Sequence, residues 1–287
     1  MLTVVRAGPL TTVQDLGRPG YAHLGVPPSG AAHAAALVRA NRLVGNDAGA
    51  AALETTLLGV TVRLDEPRWV AVTGAEAPVT VDGEPVSRRF RVPAGATVRV
   101  GTATLGLRSY LAVGGGIAVP PVLGSRSTDR LSGLGPAPLA DGDRLPLGAD
   151  PGAAPDRRTA DRRAGPTALE RLADGSRLWL HPGPRQDWVT PAGWALLRHA
   201  EFTVSRDSDR VGVRLDGPRL EWARAGELPS EGLVTGAVQV PPDGRPTVFL
   251  TDHPTTGGYP VAGVLDPSDL PVLAQARPGT VVRFGVD

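Results

Sequence analysis

Thr61-Val62-Arg63-Leu64-Asp65-Glu66-Pro67-Arg68-Trp69-Val70-Ala71-Val72-Thr73 sets the pattern for the chain. Two short runs rich in β-branched residues flank a polar break that contains proline, as strands joined by tight turns do. Outward from this stretch the same rhythm continues through Val79–Val81, Phe90–Val92, Thr97–Val100 and Ser109–Val113. Asp82-Gly83 follows Val81, and both residues tolerate the positive φ that a two-residue hairpin turn requires. With 37 Gly and 29 Pro as punctuation, the expected fold class is mainly β, an antiparallel barrel or sandwich.

Strand patterning recurs in the second half, at Arg177–Leu180, Phe202–Ser205, Val211–Leu215, Gly232–Val240, Thr247–Leu250 and Thr280–Phe284. Between these halves, from about Ala149 to Ala173, the chain turns to Ala, Asp, Arg and Pro without apolar periodicity. That stretch reads as a linker over residues 151–173, leaving one β domain at 1–150 and another at 174–287. Ala140-Asp141-Gly142-Asp143-Arg144-Leu145 and Arg277-Pro278-Gly279-Thr280-Val281-Val282 each feed a turn into an alternating strand, an echo that suggests duplication.

Helices are minor in this reading. After Ser29, Ala36, Leu37, Ala40, Leu43 and Val44 fall on one face before Gly45 stops the helix. A shorter helix is predicted over Ala48–Leu53, and another from Pro191 to Arg198.

Composition removes whole classes of chemistry. The 287 residues carry a net charge of +1 and 41% hydrophobic residues, which suits neither a disordered chain nor a nucleic-acid binder. No apolar run reaches the ~20 residues of a membrane-spanning helix, and no signal-like core opens the sequence, so a cytoplasmic location is expected. There is no cysteine for a thiolate nucleophile. All 30 basic residues other than histidine are arginine, so this polypeptide offers no Schiff-base amine, no phosphate-loop lysine and no lysine to carry biotin. The five histidines, at 23, 33, 181, 199 and 253, show no metal-ligand spacing, and no metal site is expected.

Polar residues concentrate in three stretches. In Gly8–Gly20, Thr12, Gln14, Asp15 and Arg18 offer donors and acceptors to a small ligand or partner, or to an internally bonded loop with an Asp15–Arg18 pair. Gly114-Gly115-Gly116 follows a strong strand and suits close backbone approach, without dinucleotide-fingerprint spacing. Downstream, Ser125, Ser127 and Thr128 flank Arg126 in a candidate carboxylate or phosphate cradle. The third stretch, Leu250–Pro260, holds Asp252 beside Thr255, Thr256 and Gly257-Gly258, either to orient an amide or to cap its own turn.

These stretches, together with Gly25-Val26-Pro27-Pro28-Ser29-Gly30, Ala40-Asn41-Arg42-Leu43-Val44-Gly45-Asn46, Leu53-Glu54-Thr55-Thr56, Ser230-Glu231-Gly232 and Gln239-Val240-Pro241-Pro242, resemble the allophanate hydrolase subunit 2 family over nearly the whole chain. The resemblance implies cyclophilin-like β-barrel domains. It also implies membership of an ATP-dependent 5-oxoprolinase that opens a lactam to glutamate and is active only with its A and B subunits as partners, the B subunit most directly. ATP is then expected at the level of the complex. Two other functions occur in the family: the carboxyltransferase component of a biotin-dependent urea or amide carboxylase, and a non-catalytic regulator that binds a kinase-inhibitor partner.

Lactam opening calls for an anion anchor, preorganised donors and a carboxylate. On that basis the catalytic candidates are Asp252, Thr255 and Thr256, and the substrate-binding candidates are Arg126, Ser127, Thr128, Gln239, Thr12, Gln14 and Arg18. Two positions depart from the family pattern: His33 stands where Asp is frequent, and Pro254 where Gln is frequent.

Overall fold

The computed structural model describes residues 1–152, 167–175 and 177–285. The chain forms two compact units. The first comprises Met1–Arg18, Ser29–Asp129 and Gly133–Pro166, and the second Pro19–Pro28, Arg130–Ser132 and Thr167–Asp287. The expected linker falls mainly on residues 153–166, outside the described residues. Its last part is a helix, Ala168–Ala173, whose Thr167 and Glu170 cap each other's backbone N–H groups.

In the first unit, β1 (Leu2–Arg6), β4 (Thr61–Leu64), β6 (Val79–Val81), β7 (Glu84–Pro85), β9 (Thr97–Val100) and β11 (Arg144–Leu145) form a six-stranded sheet. The expected hairpin joins β6 to β7, with Asp82 at φ 50° and Gly83 at φ 91°. A five-stranded sheet runs in the order β2 (Thr11–Gln14), β3 (Ala52–Thr56), β10 (Leu105–Val113), β5 (Arg68–Glu76), β8 (Arg89–Val92). Alternation decides which way each strand faces: Val62, Leu64, Val98 and Val100 turn inward while Arg63 and Arg99 stay exposed. Val13, Leu53, Val70, Val72 and Leu111 of the second sheet complete the same core.

The other face of the five-stranded sheet is covered by helix α1 (Ala34–Val44). All five expected core residues of α1 are buried there, against Ala52, Ala71, Tyr110 and Ala112. Because three of those four are alanines, the helix can lie close to the sheet. Gly45, at φ 79°, ends it as expected.

The helix predicted over Ala48–Leu53 is absent: Asp47–Ala50 form a turn, and Ala52 onward is β3. This strand lies between β2 and β10 and is buried on both faces, so its run of Ala and Leu carries no alternation and the ladder overrides local propensity.

The second unit is a closed barrel in the order β12 (Leu178–Pro182), β19 (Val261–Leu265), β16 (Ala237–Gln239), β17 (Thr247–Phe249), β14 (Gly212–Asp216), β13 (Glu201–Val204), β20 (Val281–Gly285). Parallel pairing of β12 with β20, Leu178 opposite Phe284, closes the ring. Leu180, Phe202, Leu215, Val238, Val248 and Phe284 are among the side chains that fill it. A small separate sheet pairs β15 (Glu231–Gly232) with β18 (Thr256–Gly257). The helix expected from Pro191 spans Pro191–His199, with Thr190 as its cap. No helix among the described residues is long and apolar enough to cross a membrane.

Candidate functional site

The candidate residues fall into two groups, one in each unit. In the first, β2 ends at Gln14, and the chain then carries Asp15 and Arg18 against the segment 122–129. The cradle expected at Ser125–Thr128 does bind a carboxylate, and that carboxylate is Asp15. Asp15 Oδ1 accepts from the hydroxyls of Ser125 at 2.6 Å and Ser127 at 2.5 Å, and from Gly17 N–H at 2.8 Å. Oδ2 accepts from Arg126 N–H at 2.6 Å. The backbone of Arg126 thus serves the cradle, while its guanidinium Nε reaches the carbonyl of Val119 at 2.7 Å.

Arg18 is 1% exposed and donates to the carbonyls of Ser127 at 2.5 Å and Val122 at 3.3 Å, with Asp129 4.0 Å from its Nη1. Asp15 and Arg18 therefore bond chiefly to a segment more than 100 residues away. Gln14 Nε2 donates to the Thr128 carbonyl at 2.9 Å and to Thr12 Oγ1 at 3.1 Å. Ser29 Oγ donates to the same Thr128 carbonyl at 3.2 Å. Thr12, Gln14, Arg18, Ser127 and Thr128 are in this way brought together. Gln14 Oε1, Thr128 Oγ1 and Arg18 Nη1 remain buried without a hydrogen-bond partner, and buried polar atoms in that state mark a site with unused bonding capacity.

The carboxylate beside this cluster carries no recognisable site motif in the sequence. Glu54 on β3 lies opposite Thr12 on β2 and opposite Tyr110 on β10, and Tyr110 in turn lies opposite Thr73 on β5. A polar row therefore crosses the sheet face that α1 covers. Glu54 Oε2 accepts from the Tyr110 hydroxyl at 2.7 Å and from Ala32 N–H at 3.0 Å, and Arg108 Nε stands 3.7 Å from Oε1. His33 N–H donates to the Tyr110 oxygen at 2.8 Å. Burial, and next the Glu54 charge, push the Tyr110 phenol well above its ordinary value. Burial also holds the His33 imidazole down at about 4, against a smaller upward pull from Glu54. The motif Leu53-Glu54-Thr55-Thr56 carried the available signal, a carboxylate inside an apolar strand run.

The glycine turn after β10 shows the expected close approach: a Cβ at Gly115 would lie 2.5 Å from the Gly148 carbonyl. Its three N–H groups are taken up by Trp69 O, Asn46 Oδ1 and Val113 O. With those donors used and no lysine in the chain, this turn does not fit the phosphates of ATP.

In the second unit, β14 and β17 pair antiparallel, and Arg210 and Asp252 lie just beyond the paired ends. Arg210 Nε and Nη2 grip the two Asp252 oxygens at 2.9 and 3.0 Å, and Nη2 also reaches Thr251 Oγ1 at 3.2 Å. Arg130 N–H adds a longer bond of 3.4 Å to Oδ2. Asp252 is thus held by a distant arginine, where sequence reasoning weighed only a local cap or a chemical role. Thr255 accepts Leu233 N–H through its carbonyl, and the exposed Thr256 pairs with Gly232. Gln239 donates to the Tyr259 carbonyl at 3.0 Å, and Gly257 lies so close that a Cβ there would sit 2.7 Å from Gln239 Nε2. Asp252, Thr255, Thr256 and Gln239 therefore belong to the barrel unit, and Arg126 to the first. Among the described residues no group of three or more acidic or histidine side chains is arranged to hold a metal ion.

Comparison with known proteins matches the fold over nearly the whole chain. The family model described as carboxyltransferase domain, subdomain A and B, matches residues 24–286. A protein from Escherichia coli, named as the C subunit of 5-oxoprolinase, is 40% identical over 99% of this chain and 90% of its own length. The protein of that name from Haemophilus influenzae is 33% identical with the same coverage. The solved structure of the Kluyveromyces lactis urea carboxylase superposes with a TM-score of 0.86 at 29% identity, covering 99% of this chain and 27% of that one. The chain spans 55% of a further solved structure at a TM-score of 0.85 and 40% identity, so these structures contain substantially more polypeptide. A family match over nearly the whole length, joined to a full-length relative at 40% identity, shows that the chain belongs to the carboxyltransferase-domain family of subdomains A and B.

Proposed function

We propose that the chain is one subunit of an ATP-dependent 5-oxoprolinase complex, acting with the A and B subunits to open the lactam of 5-oxoproline to glutamate. The observation that carries this reading is the 40% identity to the Escherichia coli protein across 99% of this chain and 90% of that relative. An unactivated lactam is a poor electrophile, and when ATP is bound in the complex it supplies activation of the amide oxygen. ATP is assigned to the complex as a whole, as the resemblance to the 5-oxoprolinase family implies.

In this reading the substrate-binding residues proposed are Thr12, Gln14, Arg18, Arg126, Ser127 and Thr128 in the first unit, and Gln239 in the barrel unit, each group taken by itself. Asp252, Thr255 and Thr256 supply the loop that steadies charge developing at the reacting carbonyl. The Asp252–Arg210 pair supports that role by fixing the loop, so that the donors the loop carries need no rearrangement as charge develops.

Co-expression with the A and B subunits, purification of the assembly and measurement of glutamate release from 5-oxoproline with and without ATP test the proposal. Turnover is expected in the complex with ATP and not in the isolated chain. An assembled complex that releases no glutamate would sink it.

The similarity to the Kluyveromyces lactis urea carboxylase favours a second reading, the carboxyltransferase component of a urea or amide carboxylase. Biotin would then ride on a lysine outside these 287 residues, which contain none. Biotin-dependent carboxylation of urea by the reconstituted assembly, without glutamate release, would select it.

A further inference from the structure

Residues 29–33 cross the polar face of the five-stranded sheet as a strap between Pro28 and α1. The strap enters through a sharp bend, with Ser29 at φ 51° and Gly30 at φ 90°, where a Cβ on Gly30 would lie 2.8 Å from Gly17 N. Such left-handed backbone at a non-glycine residue is strained and persists only where neighbours over-determine it.

Hydrogen bonds along the strap do so here. Ser29 Oγ bonds the Thr128 carbonyl at 3.2 Å, Ala31 N–H the Asp15 carbonyl at 2.9 Å, Ala32 N–H the Glu54 carboxylate at 3.0 Å and His33 N–H the Tyr110 oxygen at 2.8 Å. The last two converge on one hydrogen-bonded pair, Tyr110 O–H to Glu54 Oε2 at 2.7 Å, with the two residues 0% and 2% exposed. A carboxylate this deeply buried is costly unless its bonds are met, and a group kept despite that cost fixes whatever it touches.

We infer that Glu54 and Tyr110 are positioning residues for the ligand site of the first unit. Their paired side chains set the height of the strap, and the strap sets Ser29 on the Thr128 carbonyl. That carbonyl is shared with Gln14, whose Nε2 also bonds Thr12, directly opposite Glu54. Loosening the pair thus releases Gln14 and Thr128 from two sides, through the strap and through the β2–β3 ladder. The link to catalysis rests on the 5-oxoprolinase reading; the mechanical link does not.

Tyr110→Phe is the sharpest variant, since it keeps the ring packing and deletes the shared hydroxyl. In the assembled complex it is expected to raise KM for 5-oxoproline about fivefold or more with kcat within about twofold, the signature of lost ground-state positioning. Gln14→Ala should do the same, and the double variant should be no worse than the poorer single, because both act on one network. A wild-type KM in Tyr110→Phe, or fully additive losses in the double variant, overturns the assignment.

Hydrogen–deuterium exchange on the purified chain reads the same coupling without turnover. Faster exchange in peptides covering 29–33 and 125–129, with the barrel unchanged, is the expected result. Faster exchange confined to 31–33 overturns the inference even if the complex proves to have another activity. A wild-type complex that shows the coupling but releases no glutamate overturns only the 5-oxoprolinase reading.

Discussion

Arg210 grips both carboxylate oxygens of Asp252, Nε to Oδ2 at 2.9 Å and Nη2 to Oδ1 at 3.0 Å, with neither side chain more than 1% exposed. Removing one member takes the bidentate opposite charge from the other, which stays buried. Asp252→Asn is therefore expected to lower unfolding free energy by about 3–5 kcal/mol. Urea denaturation of the isolated chain measures this, and an unshifted midpoint would show that Arg210 finds another partner at no cost.

Acid should weaken the first unit through His33. Its imidazole is held at about 4, against 6.5 in the unfolded chain, so between those values the unfolded state binds the proton more tightly. The contribution of neutral His33 is complete above about pH 6.5 and declines as pH falls toward 4. Comparing urea midpoints of the wild type and His33→Gln at pH 7 and pH 5 reads this out, and the variant should lose less on acidification. Equal losses would assign the acid sensitivity to other groups.

Alkali should leave Tyr110 a phenol. Because burial and the Glu54 carboxylate push its pKa well above 10, the tyrosinate absorbance gained up to about pH 11 should be the same in the wild type and in Tyr110→Phe. A smaller gain in the variant would mean that Tyr110 ionises in the folded protein.

Gly135 braces the cradle from behind. It adopts φ 80°, and a Cβ there would lie 2.0 Å from the Ser127 carbonyl oxygen, the atom that Arg18 binds. Gly135→Ala combines left-handed strain with a backbone clash and should cost at least about 2 kcal/mol. Thermal unfolding would show the loss; a variant within experimental error of the wild type would mean that the 127–135 segment relaxes freely.

The chemistry of local segments was legible in the sequence, and the partners of buried charges were not. The α1 stripe, the Asp82-Gly83 turn and the alternation in β4 and β9 all depend on residues a few positions apart, and each has the expected structure. The echo between Ala140–Leu145 and Arg277–Val282 also corresponds to real turns, at Gly142 and Gly279, that lead into β11 and β20. Of these strands, β11 pairs antiparallel with β1, and β20 pairs antiparallel with β13 and parallel with β12.

Asp15 looked like a partner for Arg18 three residues on, yet its main partners lie 110 or more residues away. Glu54 was visible only as a charge inside an apolar run, because its bonds to Tyr110 and to the strap exist only once β3 lies between its neighbours.

The pairing of β12 with β20 bears on how the barrel is made at the ribosome. In space β20 lies between β12 and β13, bonded to both, although nearly the whole second unit separates it from β12 in sequence. Until β20 emerges, each of those two strands presents a bare edge able to recruit a stranger's strand. A nascent barrel is therefore sticky for most of its translation and becomes safe in a single late event. Overexpression faster than chaperones can shield those edges should send this chain to inclusion bodies.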